Sequence, residues 1–131
     1  MAEARNSWGV VGYRHFSDRA HFDRRMAEVA AAHGAPERVV SGGATGADAM
    51  ARDWARERGV ALLEHLPAEF TSVVLKARNT LIVRDCALVV AFLSRRSRGT
   101  KDTIAKARDS GQAAGRQVVV STSTERGGRI S

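Results

Sequence analysis

Cysteine is nearly absent from this 131-residue chain, and the one present, Cys86, lies in the apolar run DCALVVAF. A single thiol makes neither an intrachain disulfide nor a cysteine-based zinc site, and its ordinary role is that of a small buried hydrophobe. Aromatic side chains make up 5% of the residues, a poor supply for the stacking platforms that hold single-stranded nucleic acid. No apolar stretch approaches the ~20 residues that span a bilayer, and MAEARNSWGVVGY lacks the basic start and apolar core of a signal peptide. These absences predict a cytoplasmic protein with no membrane partner. The histidines at 15, 21, 33 and 65 have no metal-ligand spacing with one another or with Cys86, so no metal is expected. HExxH, nucleophile-elbow and Ser-His-Asp patterns are missing as well, which removes the common hydrolase classes.

Arginine, by contrast, is abundant. The net charge is +7 and the sequence pI near 10.9. The basic residues are dispersed along helical segments such as RDWARER rather than gathered into one block, so a small anionic ligand is favoured over nucleic acid. Length and a hydrophobic fraction of 44% fit one globular domain over residues 1–121, followed by a polar tail, 122–131, without apolar periodicity and expected to be flexible.

Along the chain, strand-like and helix-like segments alternate. SWGVVGYR (7–14) reads as a strand running into a loop at Gly12. Ser17 and Asp18 then open a helix in which Phe22, Met26, Val29 and Ala30 recur at helical spacing, with Gly34 as its stop. RVVSG (38–42) is a second strand, residues 46–59 a second helix with Trp54 on its apolar face, and VALLEHL (60–66) a third strand. The second half of AEFTSVVLKARNTLIVRDC reads as helix, ALVVAF (87–92) as the clearest buried strand, residues 100–111 as helix and RQVVVS (116–121) as the last strand. Five strands alternating with helices predict an α/β Rossmann-like three-layer domain, with a mostly parallel sheet covered on both faces. In such sheets ligands sit beyond the carboxyl ends of the strands. At those ends lie Gly12 and Arg14, then SGGATGAD (41–48), then LSRRSRGT (93–100).

SGGATGAD is either a tight strand-to-helix turn or an amide cradle for a phosphate at a helix N-terminus. Together with Trp54, PAEF (67–70), RN (78–79), DCALVVAF and RGT (98–100), it resembles the SLOG superfamily, specifically its small YspA-related domains, over about residues 7–121. More distantly the chain is similar to the Lonely Guy phosphoribohydrolases and to the Rossmann domain of DNA-processing proteins. That resemblance implies a Rossmannoid fold with a nucleotide-derived ligand, often as a homodimer, with no further cofactor required. The catalytic branch has a pattern RK…PGG-x-GT-x-x-E. On it Arg78 takes the arginine position, Asn79 stands for the lysine, and Gly99 and Thr100 match the GT pair; Ser94–Arg98 replaces the PGG turn and Thr103 the glutamate.

The expected ligand-binding set is Gly12, Arg14, Gly42, Gly43, Ala44, Thr45, Gly46, Asp48, Arg78, Asn79, Arg98, Gly99 and Thr100. Asp48 either caps backbone amides or binds a ribose hydroxyl, and Asn79 fixes either a neighbouring loop or the ligand. Three functions stand open. The first is binding or sensing of a nucleotide-derived small molecule. The second is N-glycosidic cleavage of a nucleoside monophosphate, for which Arg78, Asp102 and Glu69 are the candidate catalytic residues. The third is DNA or RNA binding through the basic loop.

Overall fold

The computed structural model describes residues 6–43, 45–69, 71–93, 101–108 and 117–122. β1 (Ser7–Gly12), β2 (Arg38–Ser41), β3 (Ala61–Glu64), β4 (Leu88–Leu93) and β5 (Gln117–Thr122) form one all-parallel sheet in the order β3-β2-β1-β4-β5. Order reverses at β1, so the carboxyl ends of β1 and β4 open at a topological switch point. Helices α1 (Arg19–His33), α2 (Ala47–Arg58) and α3 (Ser72–Arg84) connect the strands, and α4 covers residues 101–108. The expected five-stranded Rossmann-like architecture is the one observed. The helix preceding β4 is longer than its sequence reading, beginning at Ser72, where Thr71 Oγ1 accepts from the Val74 amide.

Strand alternation builds a core on each face. Trp8 and Val10 of β1, Val39 of β2 and Leu88, Val90 and Phe92 of β4 face Phe22, Met26 and Val29 of α1 and Ala47, Ala51, Trp54 and Ala55 of α2. Val11, Val40, Val89 and Ala91 face the other way, toward Ile82 and Val83 of α3, Cys86, and Ile104 and Ala107 of α4. Trp54 is core, as its helical spacing predicts: it is 4% exposed and stacks on Trp8 with centroids 6.1 Å apart. Cys86 is likewise buried, its thiol against the Val83 carbonyl.

Local signals set the helix ends. Asp18 Oδ1 accepts from the His21 amide and starts α1, whose end is held by the Gly34 N–H donating to Ala30 O. α2 begins differently. Its N-cap, Gly46, has no side chain to cap with, so the first-turn amides of α2 have no N-cap side-chain acceptor.

Candidate functional site

The glycine-rich segment leaves β2 at Ser41 and enters α2 at Ala47, packed against the end of β1. A β-carbon on Gly12 would lie 2.5 Å from Ala47 Cβ and 2.8 Å from Phe92 O, so the missing side chain lets α2 sit directly on the β1 and β4 ends. Gly46 is confined more severely: φ is +70°, and a β-carbon would fall 2.4 Å from Tyr13 O and 2.5 Å from the Arg14 carbonyl. Thr45 Oγ1 donates to that Arg14 carbonyl at 2.8 Å. The hydroxyl proton thus joins the two loops.

Gly42 is held from both sides. Its amide donates to Asp48 Oδ2 at 3.0 Å, and its carbonyl accepts from Arg78 Nη1 at 2.9 Å. Asp48, on the first turn of α2, is 5% exposed and fastens the loop backbone. The capping alternative for Asp48 is therefore the nearer one, though the amide it binds belongs to the preceding loop. Arg78 arrives from α3 and fills the space that a Gly42 side chain would need, its Nη1 only 2.1 Å from the ideal β-carbon position. Burial pushes the guanidinium below the usual arginine range and the nearby Asp48 charge offsets part of that push; arginine stays protonated regardless. Gly43, at φ +74°, has the Leu66 side chain across the position of its β-carbon.

Asn79 links α3 to α4. It is 3% exposed, Oδ1 accepts from Arg78 Nε at 3.0 Å, and Nδ2 donates to Asp102 Oδ2 at 3.0 Å. Asp102 also receives Lys106 Nζ at 2.9 Å. Burial raises the Asp102 carboxyl, but the hydrogen bonds from Asn79 and Lys106 and the lysine charge outweigh it and hold it below the ordinary carboxylate range. A carboxyl so ionised is a poor proton donor to a departing base. Its lowered folded value means that Asp102 stabilises the fold above the ordinary carboxylate range and loses this contribution as pH falls below it. Urea unfolding of the wild type at pH 7 and pH 3 is expected to show an acid loss that Asp102→Asn reduces; an unchanged pH dependence in Asp102→Asn would refute this contribution.

Arg14 is exposed at the mouth beside His15, which meets Tyr13 edge-on, and Glu69 is exposed beyond β3. Ala44, Arg98, Gly99 and Thr100 lie outside the described residues. Among the described residues, no three His, Cys, Asp or Glu side chains group as metal ligands, and no helix is long and apolar enough to cross a membrane. The site therefore joins Gly12, Gly42, Gly43, Gly46, Asp48, Arg78, Asn79 and Asp102 into one connected set. Sequence reading missed Glu64, whose carboxylate lies beside Gly43; its signal is an acid at the end of the strand that follows the glycine loop.

A parallel sheet in this order, with a glycine loop feeding a helix at its carboxyl edge, defines a Rossmann-like α/β domain. Residues 10–71 match the YspA, cpYpsA-related SLOG family. The fold is similar to that of DNA processing protein A from Streptococcus pneumoniae, with a TM-score of 0.69 and 20% identity over 88% of this chain and 50% of that one. A structural-genomics target, TM1055, is similar with a TM-score of 0.61 and 22% identity, covering 86% of this chain and 72% of that one. The chain thus spans half the length of the DNA-processing protein. Comparison with curated proteins gives no significant match.

Proposed function

We propose that this domain binds a nucleotide-derived small molecule in the crevice at the carboxyl ends of β1, β2 and β4. The observation that carries this reading is Arg78. Its half-buried guanidinium is drawn to the glycine loop next to the start of α2, where first-turn amides and the positive end of the helix dipole favour an anion. Nη1 and Nε are committed to the protein, and Nη2 makes no hydrogen bond to a described residue, which fits a phosphate oxygen as its acceptor. The match of residues 10–71 to the YspA-related SLOG family is consistent with this reading. Of the candidate residues for N-glycosidic cleavage, Asp102 is engaged by Asn79 and Lys106.

Thermal-shift measurements with nucleoside mono- and diphosphates, ADP-ribose, NAD and cyclic nucleotides test the proposal. A ligand at ten times its Kd is expected to stabilise the fold by about 1.4 kcal/mol, a melting shift of several degrees. No shift with any of them would overturn the reading. Steep loss of oligonucleotide binding between 50 and 200 mM salt, without mononucleotide binding, would replace it by nucleic-acid binding.

A further inference from the structure

Two polar atoms beside this site are buried without a hydrogen-bond partner: Ser41 Oγ and Glu64 Oε2. They belong together. Ser41 and Glu64 are register partners at the last positions of β2 and β3, and alternation puts them on the same sheet face as Val39 and Leu62, the face covered by α1 and α2. Ser41 is fully buried, and the Glu64 side chain keeps 23% exposure, which lies on atoms other than the enclosed Oε2. Its Cδ lies 3.9 Å from where a Gly43 β-carbon would be, which places the carboxylate against the glycine loop. Arg52 Nη1, on α2, is 3.9 Å from Oε2. At that distance its charge favours the carboxylate, yet no hydrogen bond forms and the acceptor stays unused.

β2, the glycine loop, α2 and β3 make one βαβ unit, and Glu64 closes it about 20 residues beyond the loop glycines. In nucleotide sites built on such a unit, an acid at this place accepts hydrogen bonds from ribose hydroxyls. Next to it Leu66, 66% exposed, spreads an apolar surface over Gly43. Taken with the nucleotide reading above, on which this inference rests, the geometry points to Glu64 as the ribose-hydroxyl acceptor. The ligand class is then a ribonucleotide with an unsubstituted 2′-hydroxyl. A 2′-deoxy sugar leaves the carboxylate unpaired, and a 2′-phosphate meets it with like charge.

Calorimetric titration of the full chain with the four ribonucleoside 5′-monophosphates, their 2′-deoxy counterparts and adenosine 2′,5′-bisphosphate tests this. For the tightest ribonucleotide, wild type is expected to bind about tenfold or more tighter than the 2′-deoxy form, the worth of one hydrogen bond to a charged acceptor. The 2′-phosphorylated compound is expected to bind more weakly still than 2′-deoxy-AMP. Glu64→Gln should shrink the ribose preference to a few fold while leaving affinity for the 2′-deoxy form near its wild-type value. Equal wild-type affinity for ribose and deoxyribose forms, or an unchanged preference in folded Glu64→Gln, overturns the role of Glu64 with nucleotide binding intact. Absence of binding to every nucleotide overturns both readings. Should Glu64→Gln not fold, the wild-type preference decides, with Glu64→Asp as the second variant.

Discussion

Gly46→Ala is expected to lower the melting temperature by about 10–20 °C, whereas Gly59→Ala, at almost the same φ, costs only about 3–5 °C. Both glycines have positive φ, +70° and +67°, so both substitutions incur backbone strain of about 1–2 kcal/mol. They differ in surroundings. Nothing lies within 4 Å of a β-carbon at Gly59, but at Gly46 the carbonyls of Tyr13 and Arg14 stand 2.4 and 2.5 Å away. Backbone cannot step aside as a side-chain tip can, and overpacking adds about 1–3 kcal/mol. Separating the β1 loop from the start of α2 also breaks the hydrogen bond from Thr45 to Arg14, so ligand-induced stabilisation should fall with the melting temperature. Paired calorimetric scans of the two variants check this. Equal shifts would mean that the close packing of Gly46 on the β1 loop contributes nothing.

The second large effect concerns binding rather than stability. Arg78→Leu is expected to weaken the nucleotide giving the largest thermal shift by about 10- to 100-fold, the worth of a charge-assisted hydrogen bond in a half-buried site. Gly42→Ala should do nearly the same by another route. Its methyl would occupy the place of Arg78 Nη1, and because that atom ends a flexible side chain, the guanidinium moves while the fold stays. Two variants on different elements are thus expected to share one phenotype, lost affinity with a melting temperature within a few degrees of wild type. Gly43→Asp is a poorer probe, since positive φ and the Leu66 contact make it a folding mutation as well. Titration calorimetry on both folded variants is the check; wild-type affinity in Arg78→Leu would remove Arg78 from the site.

Several features were legible in the chain itself because they depend on periodicity and local chemistry. The alternation of VVG, RVV and ALVVAF with helical spacing determined an α/β sheet, Asp18 marked the start of α1, and Trp54 announced its own burial by recurring with Met50 and Ala51. The glycines of SGGATGAD marked a special strand-to-helix passage. What each one accommodates is decided by residues far away in sequence: Tyr13 and Arg14 against Gly46, Phe92 against Gly12, Arg78 against Gly42 and Leu66 against Gly43. Spacing carries no information on such partners, since they meet only when the sheet order β3-β2-β1-β4-β5 is formed. The same holds for side chains whose commitments compete. Thr45 and Asn79 carry groups suited to a ligand, but tertiary packing turns the first to Arg14 and the second to Arg78 and Asp102. Glu64 passed as one polar residue in a strand until the register of β2 and β3 set it beside Ser41 and the loop, because only pairing between strands determines which side chains share a face and an edge.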